Sequence, residues 1–133
     1  MKIESFKRMI PFKNESGAVC LLKISLPIIR EEANGEAEEK FKKLFCDFFR
    51  RLSEKYTERA NEISLKRSGG KRPLLLSVSY EIGDESMLDK KKRKRIKGEV
   101  LVVKRKIKIS SDEYERENTE IDIFLVKEGR MLG

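Results

Sequence analysis

The sequence predicts an α+β fold: a curved antiparallel sheet of four to five strands wrapped on one long helix, in the order β-β-α-β-β-β. Two patterns carry this expectation. An apolar stripe with three- and four-residue spacing runs from Glu36 to about Ser64, and the segments on either side of it alternate apolar and polar residues with a period of two. With one helix available to cover one face of the sheet, an antiparallel sheet with a second, more polar face follows. The 133 residues fit a single domain, 1–133.

Lys2 to Ile10, with Ile3, reads as a first strand, and Asn14 to Gly17 as a turn. Ala18 to Leu26 places Cys20, Leu22, Ile24 and Leu26 on one face of a second strand closed by Pro27. The helix follows. Ala37, Phe41, Leu44, Phe45, Phe48, Phe49, Leu52, Tyr56, Ala60 and Ile63 share a face, with Lys40, Lys43, Asp47, Arg50, Arg51 and Glu54 opposite. Asn34 and Gly35 precede it, and Glu36, Glu38 and Glu39 put negative charge in its first turn. Lys66, Arg67, Gly69 and Gly70 close it in the order the helix dipole favours. About 28 residues make a rod of roughly 40 Å.

Beyond the helix, Pro73 to Ile82 alternates Leu74, Leu76, Val78, Tyr80 and Ile82 against Leu75, Ser77, Ser79 and Glu81. Gly98 to Ser110 sets Leu101, Val103, Ile107 and Ile109 on a face interrupted by Arg105, with Lys104, Lys106 and Lys108 outward. Thr119 to Lys127 is expected to turn Ile121, Ile123 and Leu125 inward and Glu120 and Asp122 outward. A hairpin around Ser111 to Asn118 then sets the outward lysines opposite those carboxylates. Arg105 is expected past the helix edge or paired with an acid.

With a proline closing a strand at Pro27, a long helix from Glu36 and a meander from Leu74, the chain resembles cystatin-like sheets wrapped on a helix. More narrowly, it resembles the bacterial domain of unknown function found at the C-terminus of an anti-sigma factor and beside some polysaccharide deacetylases. That resemblance implies a non-enzymatic domain outside the membrane that recognises a protein ligand. It supplies no functional residue.

The chain has no histidine, which removes serine or cysteine nucleophiles with a histidine base and histidine zinc ligands. Cys20 and Cys46 stand 26 positions apart, outside any metal-ligand spacing, and read as reduced, buried thiols. The stretch Ala18 to Ile29 is too short to cross a bilayer, and Met1 to Phe12 does not form a signal peptide. A cytoplasmic protein without cofactor is expected. Ser68-Gly69-Gly70-Lys71 departs from a phosphate loop, because Leu65 and Arg72 occupy the positions that would carry its first glycine and its serine or threonine.

One segment stands apart. Lys90, Lys91, Lys92, Arg93, Lys94, Arg95 and Lys97 place seven cations in eight positions. The remaining 24 basic residues nearly match the 23 acidic ones, so almost all of the net charge of +8 belongs to this octet. It falls in a long basic hairpin loop at about 83–97, where like charges repel until a polyanion or salt relieves them. The residues point to a non-catalytic binding module contacting nucleic acid, RNA or an anionic surface. The competing reading is a solvated loop without a specific partner. Two alternatives are a small-ligand carrier with an apolar pocket between helix and sheet, and a protein–protein interaction domain using a sheet edge or an outer patch of Val100, Val102, Phe124 and Val126.

Overall fold

The computed structural model describes residues 2–13, 17, 19–67, 75–110 and 115–132. The Ser68-Gly69-Gly70-Lys71 segment, Pro73, Leu74, most of the first turn and the start of the acidic turn after Ser110 lie outside them, as do the side chains of Ala60 and Ile63. Strands β1 (Ile3–Lys13) and β2 (Val19–Ile29) precede helix α1 (Glu36–Arg67). Strand β3 (Leu75–Gly83) is followed by a 3-10 turn (Glu85–Met87) and a short helix α2 (Lys90–Lys94). Strands β4 (Val100–Ser110), β5 (Glu115–Leu125) and β6 (Arg130–Leu132) complete the chain. The six strands form one sheet in the order β1-β2-β3-β4-β5-β6.

The class is α+β with one long helix, but the details differ from expectation. There are six strands, and two short helical segments interrupt the expected order. The sheet is mixed, since β2 and β3 pair in parallel, from Leu21 opposite Leu75 to Ile24 opposite Val78. A 32-residue helix between two neighbouring strands returns the chain to the end it left, so the next strand runs in the same direction. Pro27 does not close β2, which continues to Ile29 opposite Ile3. Pairing with β3 stops at Ile24, so the N–H that proline lacks is not required on that side. Strand β6 follows a turn at 126–129 in which Gly129 adopts φ +60° and donates its N–H to the Leu125 carbonyl at 2.9 Å.

Helix α1 buries Phe41, Phe45, Phe49, Leu52 and Tyr56 on the sheet residues Leu22, Ile24, Leu76, Val78 and Val103. Phe124 of β5 is the hub, with its ring centroid 5.3 Å from Phe45, 5.4 Å from Phe48 and 6.1 Å from Phe41. This reverses the expected facing of β5. Phe124 and Val126 lie in the core beneath the helix, whereas Ile123 and Leu125 belong to a second cluster with Val100, Val102 and Leu88. The outer patch of Val100, Val102, Phe124 and Val126 is therefore buried, shared between two cores. Strand β5 also begins at Glu115, ahead of the expected Thr119, because its first half is held by pairing to β4 while its side chains stay exposed. Cys20 is buried and Cys46 half-buried. Among the described residues, no helix is long and apolar enough to cross a membrane.

Replacing Phe45 with Ala removes a fully buried ring at the centre of this cluster. The expected cost is about 3–5 kcal/mol, read as a lowered urea midpoint with an unchanged slope.

Candidate polyanion interface

The connection between β3 and β4 crosses the sheet face opposite α1. Leu88 is 4% exposed and packs with Val100, Val102, Ile123 and Leu125, and Met87 and Ile96 lie partly buried against them. Val100 and Val102 alternate with Leu101 and Val103, which face the helix, so at this end β4 is buried on both sides. Gly83 permits the tight return, because a Cβ there would overlap the Met87 sulfur. Asp84 accepts the Ser86 N–H at 2.9 Å, and its hydrogen bonds with Ser86 hold its carboxyl below the usual range. Asp89 caps α2 by accepting the Lys92 N–H at 2.8 Å.

All seven cations expected at the site, Lys90, Lys91, Lys92, Arg93, Lys94, Arg95 and Lys97, are exposed. The first five form α2, a short helix within the connection between the antiparallel strands β3 and β4. None of the seven takes part in an ion pair among the described residues. A five-residue helix is far below the length that sustains itself, and like charges three and four apart each oppose it by about 0.2–0.5 kcal/mol. The opposing terms are the Asp89 cap, worth about 1 kcal/mol, and burial of Leu88, worth about 2 kcal/mol. Apolar packing at the two ends holds the cationic turn in place.

The other charged residues behave differently. Buried Arg105 donates through Nε to Asp122 Oδ2 at 2.6 Å, through Nη2 to Asp122 Oδ1 at 3.3 Å and through Nη1 to the Tyr56 hydroxyl at 2.6 Å. Nη2 also pairs with Glu120 at 2.6 Å. Burial opposes its charge, but the bonds with Asp122 outweigh that and raise its pKa. Arg105 thus pairs with acids beneath Tyr56 of the helix, with four of its five N–H donors directed at groups of the protein. Lys104, Lys106 and Lys108 stand opposite Ile121, Thr119 and Glu117, not opposite Glu120 and Asp122. Lys108 also pairs with Glu115 at 2.8 Å.

Tyr80 sits beside this group, edge-on to Phe49 at 4.9 Å, and its hydroxyl is buried with no hydrogen-bond partner among the described residues. Burial raises the pKa of both Tyr80 and Tyr56 above the usual 10.0. Ring contacts fill the space between helix and sheet around Phe45 and Phe49, whereas an open hollow of about 530 Å³ borders Tyr80 together with Ile3, Ser5, Ile82 and Leu101. The pocket bordered by Ile29, Glu38 and Phe41 at the helix start measures only about 10 Å³.

Set against protein-family models, curated proteins and solved structures, the chain matches none of them.

Two outcomes follow. Leu88→Ala should speed amide hydrogen exchange across residues 85–97 well beyond its effect in α1, because it removes the buried anchor of that segment alone. Tyr80→Phe should stabilise the fold at neutral pH by about 1 kcal/mol by removing an unpaired buried hydroxyl. Both tyrosines bind their protons more tightly when folded, so stability is retained below pH 10 and falls as pH rises above it. Tyr80→Phe should make that fall shallower in alkaline denaturation curves.

Proposed function

We propose that this chain is a non-catalytic binding module that contacts an acidic partner through Lys90, Lys91, Lys92, Arg93, Lys94, Arg95 and Lys97, with nucleic-acid phosphates as the preferred chemistry. The observation that carries this reading is a set of seven exposed cations, none ion-paired among the described residues, on a segment pinned at both ends by apolar packing. Ordering a free loop on binding costs about 1–2 kcal/mol per residue, and a segment already held in place avoids most of that cost. The repulsion within α2 is relieved when phosphates take up positions among the cations, so the anion strengthens the structure it binds. The segment contains no aromatic residue for base stacking, so affinity should be insensitive to sequence. On this reading the chain works in the cytoplasm, where RNA is an abundant polyanion.

The small-ligand alternative needs an apolar cavity between helix and sheet; the rings of Phe41, Phe45, Phe49 and Phe124 occupy the centre of that space, and the hollow of about 530 Å³ beside Tyr80, Ile82 and Leu101 is open to solvent and bordered also by Ser5 and Asp84. The resemblance to cystatin-like domains keeps an acidic protein as the other class of partner.

The combined substitution Lys90→Gln, Lys91→Gln, Arg93→Gln and Lys94→Gln should leave the melting temperature within a degree or two. It should abolish retention on heparin at moderate salt. With a short duplex oligonucleotide, the slope of log affinity against log salt should fall by about 3 to 4. Unaltered retention would refute the reading.

A further inference from the structure

The sheet face that carries the 84–99 segment continues across β1, β2, β3 and β4, uncovered by any other described element. Strand register sets its side chains in two rows. One row runs Met9, Lys23, Ser77 and Lys108; beside it Lys7 is opposite Ser25 and Ser79 opposite Lys106, just past the last β2–β3 pair, Ile24 with Val78. Ser77 stands between Lys23 and Lys108, and Ser25 and Ser79 stand inside Lys7 and Lys106, with Met9 at the β1 edge, leaving a groove of about 250 Å³ bordered by Lys7, Met9, Lys23, Ser25, Ser77 and Ser79. Central strand positions ordinarily hold β-branched or aromatic residues, and serines there contribute little to the sheet. Lys7, Lys23 and Lys106 are exposed and form no ion pair among the described residues. Of the neighbouring carboxylates, Glu115 pairs with Lys108, while Glu81 stands opposite Lys104 and Glu117 opposite Lys108, beyond the ends of the groove.

We infer that this serine-floored groove is a second contact for a nucleic-acid phosphodiester backbone, which crosses the open sheet face from α2. The inference rests on the polyanion reading of α2 and adds the path of the ligand. Short hydroxyl side chains let a phosphate approach the sheet and donate to its oxygens, and the flanking ammonium groups neutralise it. From β1 to β4 the strip spans three strand spacings, about 14 Å, and one strand of a duplex presents a phosphate every 3.4 Å of axis, so about four phosphates face it. Val102 beneath the α2 segment and Lys106 beside the groove are four residues apart on β4, again about 14 Å, with Lys104 between them. Among the described residues no aromatic side chain lies on this face, so the contact reads backbone and not bases. A recessed floor suits a single phosphodiester chain better than the flat surface of a bilayer.

The test measures affinity for a 20-base-pair duplex over a range of salt, using the full chain and three variants. The groove variant is Lys7→Gln, Lys23→Gln and Lys106→Gln. The control removes the same charge from the solvent side of α1, as Lys43→Gln, Arg51→Gln and Lys55→Gln. The third, Ser79→Val, fills the floor without changing charge. The groove variant should weaken binding about tenfold more than the control at 150 mM salt and lower the salt slope by 2 to 3, and Ser79→Val should weaken binding several-fold. Groove variants that match the control, while the α2 substitutions abolish binding, would overturn the groove and leave the α2 reading standing. Loss in the groove variants with intact binding in the α2 variant would support the groove and remove the α2 reading. Loss in neither overturns both. If the groove variant loses binding to phosphatidylglycerol vesicles and not to the duplex, the nucleic-acid assignment falls.

Discussion

Burial of the β4–β5 end of the sheet on both faces is the constraint on which the rest depends. On one side Val103, Phe124 and Val126 meet the phenylalanines of α1, and on the other Val100, Val102, Ile123 and Leu125 meet Leu88 and Ile96. A sheet with one helix leaves its second face to water, and here apolar residues on that face require a cover. The 84–99 segment supplies it, which is why a connection far longer than a hairpin needs is an ordered part of the fold.

The same arrangement separates two kinds of charge. Arg105 is buried under the helix, and its cost is met by a bidentate bond to Asp122, a second carboxylate and a tyrosine hydroxyl, all within the protein. Among the described residues the cations of α2 have no such partners, and they are held near one another by packing at Leu88 and by the Asp89 cap. Buried Arg105 is satisfied and serves the fold, whereas the exposed cations of α2 form no ion pair among the described residues. That contrast separates a structural ion cluster from a row of exposed cations, and residue type alone does not.

The parallel junction of β2 and β3 contributes a second consequence. A crossover through α1 brings the N-terminal hairpin against β3, so that Lys7 and Lys23 reach the same face as Ser77, Ser79 and Lys106. An all-antiparallel arrangement with the same elements would place different rows side by side. The lysine–serine strip is thus a product of topology.

Much of this was legible in the chain itself. The three- and four-residue spacing from Phe41 to Tyr56, the alternation from Leu76 to Ile82 and the face shared by Leu101 and Val103 are local patterns, and each names the side its residues bury. The concentration of cations between Lys90 and Lys97 is equally local. Tertiary structure decided the remainder, because the facing of β5 depends on what covers each side. Glu120 and Asp122 read as outward until Arg105 is placed beneath Tyr56, and Ile123 and Leu125 read as core beneath the helix until Leu88 is folded onto the opposite face. Charge pairing and two-sided burial are relations between segments distant in sequence, so hydrophobic period within a strand names its elements without naming their partners.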